Sequence, residues 1–156
     1  MNATTERSIK VTINGTTYER EVEARKLLIH FVRDDLDLTG SHIGCDTGNC
    51  GACSLIVDGT LVKSCMLLAV QADGAQVETV EGLAAGDELS KLQQSFREHH
   101  ALQCGYCTPG MLMSATALLR ENSSPSEDEI RKALQGNICR CTGYWNIFEA
   151  VKAASE

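Results

Sequence analysis

Aromatic residues are scarce in this sequence, with one Trp, three Tyr and three Phe among 156 residues. A hydrophobic core must therefore rely on Leu, Val, Ile, Ala and Met, or on something that is not a side chain. Because 43% of the residues are apolar, the chain can fill the core of one ordinary domain or two small ones. The composition predicts a folded, soluble protein.

Positive charge is also in short supply, since 14 Lys and Arg stand against 21 Asp and Glu, for a net charge of −7. No basic patch stands out along the chain. Proteins that bind a nucleic-acid backbone do so mainly through Lys and Arg. The charge balance therefore argues against a nucleic-acid partner.

Long apolar runs and nucleotide-binding motifs are missing as well. The N-terminal "MNATTERSIKVTING" has no apolar run of signal-peptide length, and no apolar stretch is long enough for a membrane span. We therefore expect a cytoplasmic chain with no spanning membrane segment. No G-x-G-x-x-G follows a predicted strand and no P-loop occurs, so the chain is not expected to bind a nucleotide alone.

The chain does contain eight cysteines, which fall into two sets of four. Disulfides are one explanation, but thiols in a reducing compartment usually bind metal or carry out redox chemistry. We therefore favour metal binding. The N-terminal set is Cys45, Cys50, Cys53 and Cys65, and the C-terminal set is Cys104, Cys107, Cys139 and Cys141.

The N-terminal set has the C-x4-C-x2-C spacing of plant-type 2Fe-2S proteins, with a fourth cysteine that follows sooner than in an ordinary plant ferredoxin. Gly44, Gly48 and Gly51 alternate with these cysteines, and glycine lets backbone N–H groups come close to sulfur. The alternative is a four-cysteine zinc site, but zinc sites favour two short C-x2-C-like pairs far apart in sequence. The spacing favours a cluster over zinc.

The C-terminal set combines C-x2-C with a later C-x-C, which suits zinc as well as iron. The N-terminal set decides between the metals, because a chain with one one-electron centre has a use for a second one nearby. Two 2Fe-2S clusters can hold one electron each and so pass on the pair from a two-electron reaction. We therefore predict an electron relay.

The first half of the chain predicts a small sheet and one helix. Residues 8–22 alternate apolar and polar positions around Asn14 and Gly15, which is a strong hairpin signal. Residues 25–37 place apolar side chains at helical spacing, so one face should pack on the sheet. The N-terminal cysteine loop should follow this helix.

Further strands should surround the last cysteine of the N-terminal set. Residues 53–58 predict a buried strand, Asp58 and Gly59 a hairpin turn, and "TLVKSC" the partner strand that ends near Cys65. Residues 75–80 can add another strand. The order of strand, strand, helix, loop and strands is typical of a β-grasp fold.

The second half predicts helices. Thr108 is the expected N-cap of one helix, with Pro109 at its first position. Ser126 and Glu129 form the capping-box pattern of the next helix, and a last amphipathic segment ends the chain. About four helices are expected, with the C-terminal set at helix ends or in joining loops, where unpaired N–H groups can stabilise negative sulfur.

These signals predict an α+β chain of two domains. A β-grasp domain like that of plant-type 2Fe-2S ferredoxins is expected at residues 1–80, and a four-helix 2Fe-2S domain at residues 81–156.

Three segments carry a family resemblance, namely "GCDTGNCGACSLIVDG", "QCGYCTPGM" and "GNICRCTGY". Together they resemble the iron–sulfur subunits or domains of the molybdenum hydroxylases, which include xanthine and aldehyde oxidoreductases, aerobic carbon monoxide dehydrogenase and bacterial hydroxylases of N-heterocycles. The resemblance covers nearly the whole chain. The segment "LLIHFVRDDLDLTGSHIGCDTGNCGAC" with the later "VKSC" looks closest to the carbon monoxide dehydrogenase small subunit.

The resemblance implies cofactors and partners beyond this chain. In the family a medium subunit binds FAD, a large subunit binds molybdenum on a pterin dinucleotide, and we expect a heterotrimer, doubled to a dimer of heterotrimers. The cluster of the C-terminal set would lie nearer molybdenum, and that of the N-terminal set nearer FAD. By motif position, Gln103 and Cys141 would contact the pterin, Cys141 through its sulfur.

The resulting hypothesis is an electron-transfer subunit without a substrate site of its own, in an oxidoreductase that converts carbon monoxide and water to carbon dioxide. The same role in an N-heterocycle or aldehyde hydroxylase is the alternative. A free-standing ferredoxin-like carrier and a structural two-zinc protein are further hypotheses, of which the zinc protein is the least favoured.

Other polar and aromatic residues receive no ligand role. The four histidines are not needed, because eight cysteines complete two clusters, and Met111 and Met113 are expected in a core or an interface. The residues expected to shield the cluster of the C-terminal set and contact the large subunit, with ordinary helix packing as the alternative, are Tyr106, Arg140, Tyr144 and Trp145.

Overall fold

A mixed five-stranded sheet forms the first half of the computed structural model, which describes residues 5–155. The strands are β1 Glu6–Ile13, β2 Thr16–Glu23, β3 Ser54–Val57, β4 Thr60–Lys63 and β5 Gln76–Glu78. Their order across the sheet is β2-β1-β5-β3-β4. Strand β5 lies between the two hairpins, parallel to β1 and antiparallel to β3. This arrangement confirms the predicted β-grasp domain.

Both hairpins turn at the positions that the sequence predicts. Asn14 and Gly15 have φ values of 50° and 81°, and Asp58 and Gly59 have values of 47° and 80°. A two-residue turn with positive φ at both positions matches the right-handed twist of the flanking strands. The second turn matters for the site, because it brings the end of β4 back beside the start of β3.

The predicted helix at residues 25–37 is only partly formed. A short helix α1, Leu28–His30, passes directly into a π-helical stretch, Phe31–Asp35. Leu28 and Phe31 pack into the core of the sheet, whereas Ile29 packs against Cys53 and Cys65. Apolar side chains of this segment thus serve two separate cores, which a single amphipathic face could not do.

Four α-helices form the described part of the second half, as predicted. They are α2 Lys91–Glu98, α3 Thr108–Glu121, α4 Glu127–Leu134 and α5 Trp145–Ser155. The predicted capping box of α4 is present, since Ser126 Oγ accepts a hydrogen bond from the Glu129 N–H and Glu129 accepts one from the Ser126 N–H. An equivalent capping box begins α2, where Ser90 pairs with Gln93.

The prediction that Thr108 caps α3 is wrong. The carbonyl of Cys107 accepts the first hydrogen bond of the helix, from the Met111 N–H, so Cys107 is the N-cap residue and Thr108 is already helical. Pro109 is therefore the second helical residue. The Thr108 hydroxyl is buried and has no hydrogen-bond partner among the described residues.

Two large apolar cores fill the described part of the molecule, beside the small group of Ile29, Cys53 and Cys65. One lies under the sheet and includes Val11, Phe31 and Leu55, and the other fills the helical half and includes Met111 and Ile147. Because aromatic side chains are few, aliphatic side chains make up most of both cores. Within residues 5–155 no helix is long and apolar enough to cross a membrane.

Candidate metal centres

The N-terminal set is assembled from one loop and one hairpin. Cys45, Cys50 and Cys53 lie in the loop that leads into β3, and Cys65 lies in the 3-10 turn that follows β4. The hairpin pairs the residue after Cys53 with Lys63, and the Ser64 N–H donates to the Cys53 carbonyl over 3.3 Å. Local strand pairing therefore returns Cys65 to the loop.

The thiols of the N-terminal set occupy two different environments. Hydrogen bonds from the Thr47 hydroxyl and from the N–H groups of Cys50 and Thr47 lower the pKa of Cys45 to about 6. Cys53 and Cys65 are only 2% and 3% exposed. Burial, together with the neighbouring Cys53 thiol, raises the pKa of Cys65 to about 11. One pair lies near the surface and the other pair is buried.

Glycine at position 44 lets the backbone of the loop pass close to the sulfur of Cys50. A Cβ there would lie 2.8 Å from the Cys50 sulfur, well inside the optimal contact distance of about 3.5–4.0 Å. A side chain at this position would displace a predicted ligand. The predicted role of the loop glycines is therefore explained at Gly44 by direct contact with a thiol.

The C-terminal set lies where three helices meet. Cys104 and Cys107 precede α3, and Cys139 and Cys141 lie between α4 and α5. The Cys104 and Cys141 sulfurs are 3.5 Å apart and both residues are exposed. The thiols of Cys107 and Cys139 form the second pair, deeper in the molecule.

The pKa values of the C-terminal set also diverge. Burial raises the pKa of Cys107 to about 12, with a further contribution from the neighbouring Cys139 thiol. Burial alone would raise the pKa of Cys139 too, but hydrogen bonds from the Thr142 hydroxyl and N–H bring it below its usual value. The Tyr106 N–H lowers the pKa of Cys104, while the adjacent Cys104 thiol raises that of Cys141.

Each set thus presents four free thiols as two pairs, one buried and one closer to solvent. Among residues 5–155, no three Cys, His, Asp or Glu side chains converge as they would around a single metal ion. Two pairs of thiolates are what a binuclear iron cluster requires, two on each iron. Bound iron would also deprotonate the buried thiols of Cys65 and Cys107. The donor sets fit 2Fe-2S clusters.

A polar seam joins the two cysteine sets, formed by Cys50, Gly51 and Lys63 on one side and by Ser114 and 136–138 on the other. The Ile138 N–H donates to the Cys50 carbonyl over 2.8 Å. The Asn137 side chain donates to the Gly51 carbonyl over 3.2 Å, and the Lys63 ammonium donates to the Gly136 carbonyl over 2.6 Å. The loop before Cys139 is therefore hydrogen-bonded to the loop that holds Cys50.

A second contact joins the two halves near the surface. Tyr106, between two predicted ligands, stacks on His42 with ring centroids 4.5 Å apart. Its hydroxyl donates to the Ile43 carbonyl over 2.8 Å, and His42 Nδ1 lies 2.8 Å from the Tyr106 carbonyl. Tyr106 therefore connects the loops that lead into both cysteine sets.

The structure brings each predicted set of four cysteines together, and it places Gln103 and Cys141 on the exposed side of the C-terminal set. Arg140, Tyr144 and Trp145 are exposed beside them, while Met111 and Met113 are fully buried. Sequence reasoning missed Asn137, which is buried and bonded to Ser114 and Gly51. Its position two residues before Cys139 was the available signal.

Comparison with known proteins agrees with this geometry. A family described as "2Fe-2S iron-sulfur cluster binding domain" matches residues 11–89, and a family described as "[2Fe-2S] binding domain" matches residues 79–152. The chain therefore contains two 2Fe-2S-binding domains.

Among curated relatives, caffeine dehydrogenase subunit gamma of Pseudomonas sp. (strain CBB1) is 52% identical over 151 residues, covering 94% of this chain and 90% of the relative. The nicotine 6-hydroxylase small subunit of Paenarthrobacter nicotinovorans is 52% identical over 143 residues, covering 92% of this chain and 86% of the relative. The crystal structure of quinoline 2-oxidoreductase from Pseudomonas putida 86 has a chain with 49% identity and a TM-score of 0.94, which covers 97% of this chain and 94% of that chain.

Proposed function

The chain belongs to the electron-transferring iron–sulfur subunits of the molybdenum hydroxylase family, and we propose that it connects a molybdenum-pterin site on a large subunit with FAD on a medium subunit. The N-terminal set would hold one 2Fe-2S cluster and the C-terminal set the other. Each bound cluster supplies a one-electron carrier. This chain's part is to hold the two clusters at a fixed separation.

The hydrogen bond from the Ile138 N–H to the Cys50 carbonyl is the observation that carries this proposal. Cys50 belongs to one set, and Ile138 is bonded covalently to Cys139 of the other set. The route from one sulfur to the other contains roughly ten covalent bonds and this hydrogen bond. Two unrelated zinc sites would have no need of so short a connection.

Exposed apolar side chains favour a subunit over a free-standing carrier. Six large apolar side chains are exposed among the described residues, and five of them flank the C-terminal set in sequence. These five are Leu102, Tyr106, Ile138, Tyr144 and Trp145. Exposed apolar surface beside a site is typical of a protein–protein contact. We propose that the molybdenum-binding subunit covers them.

The same side of the molecule carries the two predicted pterin contacts. Gln103 and Cys141 are both exposed. Gln103 directly precedes Cys104, whose sulfur lies only 3.5 Å from that of Cys141. We propose that Gln103 contacts the pterin through its amide and Cys141 through its sulfur. The two contacts would then bring the pterin next to the cluster of the C-terminal set.

For the substrate, we propose a nitrogen heterocycle. Relatives at 52% identity are named for caffeine and nicotine, and the quinoline enzyme's chain is 49% identical; all three substrates are N-heterocycles. Carbon monoxide stays a prediction from the sequence, since none of the relatives named above is described by that substrate. The partner chain that binds the substrate decides between them, and a cytoplasmic dimer of heterotrimers remains the expected assembly.

Iron analysis and spectroscopy of the purified complex test the ligand assignment. Cys139→Ser should abolish the reduced-state paramagnetic signal of one cluster, and the matched variant Cys45→Ser should abolish that of the other. Because ligand loss couples to folding, iron and acid-labile sulfide should be measured on the same samples. Unchanged iron content and signals in both variants would show that the assignment is wrong.

Dye reduction by the native complex tests the substrate class. Caffeine, nicotine, quinoline, an aromatic aldehyde and carbon monoxide should be compared at matched concentrations. Reduction by a nitrogen heterocycle alone is the expected result. Reduction by carbon monoxide alone would restore the original prediction and overturn the heterocycle proposal.

A further inference from the structure

We propose that Asn137 is a positioning residue for electron transfer between the two clusters. This inference rests on the proposed function, because it concerns the connection between the two predicted cluster sites. Asn137 is not a predicted ligand, and its side chain does not contact any cysteine sulfur by a hydrogen bond that the structure records.

The Asn137 side chain is buried, and each end of its amide makes a hydrogen bond within the polar seam. It is only 4% exposed. Its Oδ1 atom accepts a hydrogen bond from the Ser114 hydroxyl over 2.7 Å, and its Nδ2 atom donates to the Gly51 carbonyl over 3.2 Å. The Gly51 carbonyl can only accept a hydrogen bond, so it requires the NH2 end of the amide, and the Ser114 hydroxyl then holds the amide oxygen on the other side.

Two hydrogen bonds between consecutive residues fix the register of the two loops. Asn137 bonds to Gly51 through its side chain, and Ile138 bonds to Cys50 through its backbone. A single hydrogen bond would allow one loop to pivot against the other. The pair holds both loops, so the Asn137 contact protects the geometry of the bond that joins the cysteine sets.

The close approach leaves no room for another arrangement. A Cβ on Gly51 would lie 2.4 Å from the Gly136 carbonyl oxygen and 2.5 Å from Asn137 Nδ2. Contacts of that kind are far shorter than the optimum for non-bonded atoms. Asn137 thus reaches the backbone of the opposite loop because the opposite residue has no side chain.

The electron balance of the transfer is simple. One electron leaves the site of the C-terminal set and enters the site of the N-terminal set, so one site is oxidised as the other is reduced. No bond is formed or broken and no proton needs to move. Only the separation and connection of the two sites then depend on Asn137.

The test uses the assembled complex with Asn137→Asp and Ser114→Ala. Asn137→Asp keeps the shape of the side chain but replaces the donor to the Gly51 carbonyl by an oxygen, and Ser114→Ala removes the hydroxyl that holds the amide oxygen. Ser95→Ala is the control, because Ser95 is also buried and donates to the Ala150 carbonyl over 2.7 Å, away from the seam.

Both seam variants should retain iron, sulfide and the two separate cluster signals. The magnetic interaction between the two reduced clusters should weaken, and transfer between them after rapid reduction should slow several-fold, more in Asn137→Asp than in Ser114→Ala. Ser95→Ala should match the native complex in both measurements.

Unchanged magnetic interaction and transfer rate in Asn137→Asp would overturn the inference while leaving the proposed function intact. Failure of both variants to hold two clusters would also overturn it, since these residues would then serve assembly and not positioning. Fewer than two clusters in the native complex would instead contradict the proposed function itself. The three results are therefore distinguishable.

Discussion

Gly110→Ala is the substitution that most directly tests the seam. Gly110 lies in the first turn of α3, and a Cβ there would be 2.0 Å from the Gly51 carbonyl oxygen and 2.9 Å from its carbon. Optimal contacts of carbon lie near 3.5–4.0 Å, so the two segments must separate by roughly 1 Å or more. The Gly51 carbonyl cannot easily turn away, because the Ser54 N–H and hydroxyl both donate to it.

The expected change in the free energy of unfolding has three contributions, one that stabilises the Ala variant and two that destabilise it. Helix propensity favours Ala over Gly by about 1 kcal/mol. Overpacking typically costs about 1–3 kcal/mol, and loss of the buried hydrogen bond between Asn137 and Gly51 adds about 1–3 kcal/mol. The free energy of unfolding should therefore fall by about 1–5 kcal/mol, in the direction opposite to helix propensity.

Urea unfolding of the iron-loaded chain measures this change, with the magnetic interaction between the reduced clusters as a second readout. Gly136→Ala is the matched control: it adds the same methyl group within the seam, but that Cβ would meet only the flexible Lys63 side chain, 3.2 Å from its ammonium nitrogen, and no backbone atom. A Gly110→Ala chain that is as stable as the native chain, or more stable, would refute the close approach of α3 to Gly51.

Three further outcomes follow from single residues. The buried Thr108 hydroxyl lacks a protein partner among the described residues, so we expect it to donate a hydrogen bond to a sulfur of the adjacent cluster. Because hydrogen bonds to sulfur tune the potential of a cluster, Thr108→Val should lower the midpoint potential. A redox titration with Thr116→Val as control measures this change, and an unchanged potential would contradict the reasoning. The pKa of Glu78 is lowered by two hydrogen bonds from Arg120, so Glu78→Gln should cost less than about 1 kcal/mol at pH 7. That difference should be fully present above the unfolded pKa of about 4.3 and vanish as the pH falls through the lower folded pKa, as unfolding at several pH values would reveal. Ser126→Ala should cost about 1 kcal/mol through loss of the α4 cap, measured by thermal unfolding, and a stability equal to that of the native chain would contradict the observed cap.

Short-range features of the fold could be predicted because the signals and their consequences lie within a few residues. Asn14 and Gly15 accept positive φ readily, and they turn a hairpin where the sequence indicates one. The same holds for the capping box of Ser126 and Glu129. The spacing of the cysteines likewise reports on loop geometry, because three ligands of the N-terminal set share one loop.

Features that depend on tertiary packing could not be predicted in the same way. The segment at 25–37 has helical spacing, yet only Leu28–His30 is α-helical and Phe31–Asp35 is π-helical. Its apolar side chains divide between two partners, since Ile29 packs against Cys53 and Cys65 while Leu28 and Phe31 pack under the sheet. Asn137 is a polar residue in a loop, and such a residue is ordinarily expected to lie at the surface. Its burial arises from Gly51, a residue 86 positions away in sequence.

The polar seam also explains why the contact between the cysteine sets is not a hydrophobic interface. Side chains packed between two backbones hold them well apart, as the 8–10 Å between packed helix axes illustrates, whereas the Ile138 N–H and Cys50 carbonyl approach to 2.8 Å. Close backbone approach requires glycine and leaves polar groups buried, and such groups destabilise a protein unless each is hydrogen-bonded. The Gly51 carbonyl accepts hydrogen bonds from Ser54 and from Asn137, and the Asn137 amide oxygen accepts one from Ser114. Since each half retains its own apolar core, changes in the seam should alter communication between the clusters before they unfold either half.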